Sequence, residues 1–287
     1  MRRASIIEKE GVQIGTVEDL TGVFESIAST QVAKVKHKVE LSKEFFQLLW
    51  SRYSAIRVDP STRITRRQNV EGNGRNAYII ISAEAGLSGD IDQRMIETML
   101  QTYDSKTTDI IVLGTHGATQ LMQRGIKFAR YFQVPESDEY IDVSPVINAV
   151  MPYSNIMVFY EEYVSLGVQE IQHINLITSL EDMSEGVDDE NAITMEDTIF
   201  EPSLDDIAED MEMTMMTLAL NQTILESSLA QAASRFNAMA VAKKRAGELL
   251  ADFKLEYHRA KRSESDRRLR EVMTSLKKKR QRMGARR

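Results

Sequence analysis

The chain contains no cysteine, which excludes disulfides, thiolate nucleophiles and zinc–thiolate sites together. It also lacks any run approaching the roughly 20 apolar residues that cross a bilayer, and the opening MRRASIIEKEGVQIG has no apolar signal core. A cytosolic protein, or one on a cytosolic surface, is expected. The four histidines, His37, His116, His173 and His258, are scattered with no HExxH or other close ligand pair, so no metal is expected. GxxxxGK[ST], GxSxG and the kinase motif set are missing as well. No aromatic residue lies beyond Tyr257 to stack on bases, which argues against a dedicated single-strand nucleic-acid binder. No catalytic residue and no cofactor can be named from motifs.

What remains is a chain of 287 residues, 42% hydrophobic, enough for a real core. Its net charge of −7 hides a segregation. Glu181 to Glu212 holds fourteen Asp or Glu and no Lys or Arg, whereas Arg259 to Arg287 holds thirteen Lys or Arg against three acids. The acidic stretch reads as a solvated loop running into a helix, and the basic tail as a solvated helix end or a grip on anionic nucleic acid or lipid.

Two apolar stripes dominate the pattern. Val32, Val35, Val39, Ser42, Phe46, Leu49, Tyr53 and Ile56 step by alternating threes and fours, as do Leu225, Leu229, Ala232, Phe236, Met239, Lys243, Ala246, Leu250, Phe253, Tyr257 and Ala260. That alternation keeps one narrow seam facing a partner helix. Lying at opposite ends of the chain, the stripes predict a long antiparallel coiled coil. Lys243 interrupts the second seam and Ser42 the first; the lysine either snorkels and fixes register or marks a stretch facing a protein cavity.

Between them the pattern is α/β. Residues 1–20 read as an N-terminal extension, because Gly11 and Gly15 discourage a continuous helix, with Asp19 or Thr21 as a cap. A first helix covers 21–59 and stops before Pro60. The globular part, 60–203, offers strands in NAYIIIS, DIIVLG and NIMVFYEEY and a helix from about Ile91 to Thr102. It also offers a loop THGA before a helix TQLMQRGIKFARYF, and helical or mixed structure from Ser144 to Ala149. GVQEIQHINLI is strand or helix, and TIFEPS is a closing strand before Pro202. The second long helix covers 204–275, and 276–287 is a basic tail.

The loop Glu84 to Asp90, following a buried strand, invites a phosphate-binding reading. Glu84 and Asp90 would repel a phosphate, however, and the glycines are only Gly86 and Gly89, so a tight structural turn is expected. The paired carboxylates look surface-like and take no acid or base role.

Several segments, in order from about Ser26 to Met273, resemble the γ subunit of F-type ATP synthases. Ser29, Thr30 and Gln31 match its Ser/Asn-Thr-Gln, and ISAEAGLSGDID keeps Gly86, Leu87 and Gly89 of its turn after the first strand, with Glu84, Ala85 and Ser88 replacing an acid, a base and a cysteine. Gly114 to Gly117 is similar to a G-x-K-G step, Tyr160 through Gln169 to Y-N-x-F-V-x-x-x-x-Q, and Phe200-Glu201-Pro202 to a strand ending in Glu-Pro. Ala233 to Met239 resembles S-A-R-M-x-A-M, and Tyr257 to Lys261 resembles Y-N-x-A-R.

The resemblance implies an antiparallel pair of terminal helices flanking a Rossmann-like domain. It implies a non-catalytic central-stalk rotor that couples ion flow to ATP synthesis or hydrolysis. The partners would be a hexamer of α and β nucleotide-binding subunits, an ε-type subunit and a membrane c-ring, on the cytoplasmic face of a bacterial membrane. A γ-like rotor of a hydrolysing motor without a proton ring, and a basic-tailed coiled-coil adaptor, are the alternatives. The family residues that meet the catching loop of the catalytic subunit fall on Arg235, which is kept, and on Arg262 and Asp266, which depart from the family's Gln and Thr.

Overall fold

The computed structural model describes residues 2–56, 74–134, 142–176 and 204–284. Long N- and C-terminal helices, α1 (Ala4–Ile56) and α5 (Leu204–Gly284), enclose in sequence the strands β1 (Asn76–Ile81), β2 (Thr108–Leu113), β3 (Arg130–Phe132), β4 (Asn155–Ser165) and β5 (Val168–Asn175). Between the strands lie α2 (Ile91–Thr102), α3 (Thr115–Gln123) and α4 (Ser144–Val150). The chain forms two compact units, residues 1–26 with 238–287 and residues 27–237. The expected break at Pro60 and the expected strand TIFEPS lie outside the described residues.

In the first unit the two helices run antiparallel. Ala4 N–H donates to Glu264 Oε1 at 3.3 Å, Gly11 faces Phe253, Gly15 faces Leu250, and Gly22 faces Lys243. The helix therefore starts at Ala4 and passes through Gly11 and Gly15, contrary to the expected extension. Thr21 is no cap: its hydroxyl donates to Val17 O at 2.9 Å, one turn back inside the helix. Each glycine costs only about 1 kcal/mol of propensity, and a continuous seam outweighs that. The covered positions Ala4, Ile7, Gly11, Ile14, Glu18, Thr21, Glu25 and Ala28 run into Val32 in an unbroken three-four step. Because several of them are not apolar, hydropathy alone began the stripe at Val32.

Lys243 follows the snorkelling alternative, its stem lying over Gly22 and its Nζ donating to Glu25 Oε2 at 2.8 Å. A methyl on Gly11 would lie 3.7 Å from Phe253 Cβ, and one on Gly15 3.9 Å from Leu250 Cδ2, both ordinary contacts. Gly11→Ala with Gly15→Ala is therefore expected to stabilise this unit by about 1 kcal/mol per site, read as a raised thermal midpoint in circular dichroism.

The second unit is built on a five-stranded sheet of order β3-β2-β1-β4-β5, with β3, β2, β1 and β4 parallel and β5 antiparallel to β4. It is a mixed, Rossmann-like sheet. Alternation along the strands sorts the core. Ala77, Ile79, Ile81, Ile156, Val158 and Tyr160 join α4 and the α5 residues Met215, Met216, Leu220 and Ile224 on one face. Ile80, Ile110, Val112 and Phe159 meet Met95, Ile96 and Met99 of α2 and Leu121 of α3 on the other. Within GVQEIQHINLI, Val168–Asn175 resolves as strand β5.

The reading of THGA as loop and TQLMQRGIKFARYF as helix is corrected. Helix α3 begins at Thr115 and closes at Gly125, whose positive φ of 72° supports bonds from Gly125 N to Met122 O and from Ile126 N to Leu121 O. Released from the helix, Arg130–Phe132 pairs with β2 as an edge strand.

Candidate functional site

Three of the sequence segments that carry the resemblance converge in the second unit. The turn after β1 reverses the chain through Leu87 and Gly89, both at positive φ, and so turns its carbonyl groups toward α5. Ser234 Oγ donates to Ser88 O at 2.6 Å. The Arg235 guanidinium donates to Gly86 O at 3.3 Å, to Ala85 O at 3.1 Å and to Gln31 Oε1 of α1 at 3.3 Å. One half-buried arginine thus ties the turn to both terminal helices, at charge-assisted bonds. The geometry is a mechanical joint.

The phosphate reading of Glu84–Asp90 fails on polarity, since the groups the turn presents to α5 are acceptors. The other helix start beside the sheet, at α3, has spent its amides. Gly114 N donates to Phe132 O, Thr115 N to Glu84 Oε2, His116 N to Ala83 O and Gly117 N to Ser82 Oγ. In parallel α/β sheets a nucleotide sits at the carboxyl ends of the strands where the order reverses, here between β1 and β4. Ser227 of α5 occupies that place, its hydroxyl 3.3 Å from Ile81 O and 3.1 Å from Glu161 Oε2, and it accepts from Gln231 Nε2 at 3.0 Å. Among the described residues no group of three or more His, Asp or Glu could hold a metal ion.

Not every carboxylate is surface-like, which corrects the sequence reading. Asp92, 1% exposed, accepts from Ala83 N at 3.0 Å, from Ser88 Oγ at 3.1 Å and from His116 Nδ1 at 2.7 Å. Burial alone would raise its pKa; the bonds from His116, Ala83 and Ser88 hold it below the ordinary carboxylate value. The same bond to Asp92 lifts the His116 imidazole above its usual value, against burial. Glu161 is fully buried, and burial, with the Asp92 charge next in weight, pushes its carboxyl well above the usual range. Its Oε1 has no donor partner among the described residues. The clue available in sequence was a glutamate directly following V-F-Y in a strand that proves central, where a charge is costly.

Arg262 and Asp266 stand exposed on α5 in the first unit, one helical turn apart on the same face, while Arg235 belongs to the second. The structure joins Arg235 to Gln31 and the turn; the side chains of Arg262 and Asp266 form no hydrogen bond or ion pair with other described residues, and Arg270 Nε donates to the Asp266 backbone carbonyl at 3.3 Å.

The family model described as ATP synthase matches residues 7–277. The ATP synthase gamma chain of Clostridium novyi (strain NT) is 23% identical over 278 residues, covering 93% of this chain and 95% of its own length. That of Staphylococcus aureus (strain JH9) is 27% identical over 213 residues, 69% and 72% of the two chains. Among solved structures, a chain of the Euglena gracilis mitochondrial ATP synthase in rotational state 3 superposes with a TM-score of 0.59 at 15% identity, over 89% of this chain and 94% of that one. A chain of the Tetrahymena thermophila central stalk and c-ring gives a TM-score of 0.56, also at 15% identity, over 78% and 99%. These likenesses carry the fold: two long terminal helices with a central mixed sheet.

Proposed function

This chain belongs to the ATP synthase γ family, and from that membership we propose that it works as the central-stalk rotor of a rotary ATPase, without a catalytic group of its own. ATP is made and split in a surrounding hexamer of α and β subunits, and this chain supplies the turning element, whose interface energy with the hexamer differs with angle. An ε-type subunit and a membrane c-ring complete the rotor. The chain sits peripherally on the cytoplasmic face of a bacterial membrane; no helix among the described residues is long and apolar enough to cross one.

The observation that carries the reading is the family match over residues 7–277, and the joint at Gln31, Ala85, Gly86, Ser234 and Arg235 supports it. A rotor must pass torque between its sheet and the helix segments packed on it without slipping, and bonds from one arginine to three partners resist that slip. Exposed Val17, Leu20 and Phe24 on α1 furnish an apolar bearing surface for the hexamer. Arg262, Asp266 and Arg235 are the residues proposed to meet the catching loop of the catalytic subunit, Arg235 from within its brace.

The test is affinity purification from the native membrane fraction with subunit identification and an ATPase assay. Two nucleotide-binding subunits in three-fold excess with a membrane ring support the synthase rotor; the hexamer without a ring supports the hydrolysing motor; no nucleotide-binding subunit refutes both. Arg235→Ala is expected to lower coupled turnover while the complex still assembles, and unchanged synthesis and hydrolysis would count against its role.

A further inference from the structure

Glu161 is a buried glutamate that the rotor reading leaves without a task. It projects from β4, the strand beside β1, and meets α5 and α2 directly and α3 only through Asp92. From α5, Ser227 Oγ lies 3.1 Å from Oε2, with Gln231 bonded behind it. From α2, Asp92 is the charged group acting on it, and from α3, His116 is the charged group acting on Asp92. Ser88 and Ala83 N–H fill other acceptor directions of Asp92. An ionised Glu161 would leave Oε1 without a donor and set two carboxylates together away from water, balanced by one imidazolium at the edge. A protonated Glu161 removes both problems, because Oε1–H becomes a donor and Asp92 an acceptor beside it.

We propose that Glu161 and Asp92 form a buried proton-binding site, a carboxylic acid–carboxylate pair sharing one proton, which keeps β4, α2 and the Ser227 segment of α5 closely packed and loosens that packing when the proton is lost, because a second buried negative charge then faces Asp92. His116 is the member with solvent access, its side chain 30% exposed at a polar groove lined also by Gln93, Thr119, Gln120, Gln123 and Arg124. The signs agree across the group. Glu161, raised by burial, contributes stability that is complete below the ordinary carboxyl range and is lost as pH climbs through its raised value. His116, raised by its bond to Asp92, contributes stability complete below the ordinary imidazole value and lost as pH rises through the raised one. Both losses fall on the alkaline side, so the packing loosens with rising pH.

The experiment uses the full chain. In wild type, the infrared C=O stretch of a protonated carboxyl should persist at neutral pH and vanish in Glu161→Gln, whose amide keeps a donor for Asp92 and an acceptor for Ser227. Amide-exchange protection of the α5 segment around Ser227 to Gln231, corrected for base catalysis, should fall by up to about tenfold per pH unit as the pair titrates and should be flatter with pH in Glu161→Gln. Absence of the protonated band at neutral pH, or the same pH profile in both proteins, overturns the proposal.

Discussion

Gly114→Ala is expected to destabilise the sheet-bearing unit by about 3 kcal/mol or more, enough to unfold a marginal domain. Gly114 sits between β2 and α3 at φ 99° and ψ 139°, a region essentially closed to residues with a side chain. A Cβ there would fall inside the van der Waals envelope of Ser82 O and only 2.7 Å from Ser82 C. The obstacle is backbone, and that backbone is fixed because Ser82 N donates to Leu113 O at 2.8 Å. Relief would also cost the bond from Gly114 N to Phe132 O, one of the ties between β2 and β3. Gly125→Ala is the control: its φ of 72° is strained for alanine, but nothing stands within 4 Å of the added methyl, so about 1 kcal/mol is expected. Urea denaturation of the two variants measures the contrast, and equal losses would show that the approach of Ser82 does not govern this turn.

The sequence spoke most clearly where one physical term dominates. Val32, Val35, Val39, Ser42, Phe46 and Leu49 are all half-buried in the register their spacing predicts, Phe46 and Leu49 against the core that the sheet shares with α5, because a helix with one apolar stripe can cover only that face and a wrong phase would expose it. Strands β1, β2 and β4 were legible as apolar runs, since a central strand in a parallel sheet is buried on both faces. Where terms compete, pattern failed. Gly11 and Gly15 read as breakers because local propensity was visible and the packing of Phe253 and Leu250 over them was not. The segment Arg130–Phe132 looked helical by composition, but the Gly125 closure ends α3 and leaves it to the sheet edge. Of the joint, Arg235 was readable through resemblance. Asp92, Glu161 and Ser227 were not, because their roles come from contacts such as Ser227 with Ile81 and Glu161, 146 and 66 positions away.

Asp92→Ala is expected to cost on the order of 3–5 kcal/mol at neutral pH, the range for stripping one partner from a buried charged network. The loss is large because several groups are orphaned together. Ala83 N–H and the Ser88 hydroxyl lose their acceptor in a site closed to water, and His116 Nδ1 loses the carboxylate that fixes its tautomer. Asp92→Asn should be milder, as its amide oxygen still accepts from Ala83. The pH dependence separates this from a simple packing defect. Asp92 is held below its ordinary value by His116, Ala83 and Ser88 against the effect of burial, so its contribution is present above the unfolded carboxylate value and is lost as pH falls through the folded one. The alanine variant should lack that acid limb. Its His116 should also titrate lower than in wild type, since the bond that raised it is gone. Urea midpoints across pH together with imidazole proton NMR read both effects. A small loss with an unmoved His116 titration would mean that the carboxylate is a bystander, and that the joint rests on Ser234 and Arg235 alone.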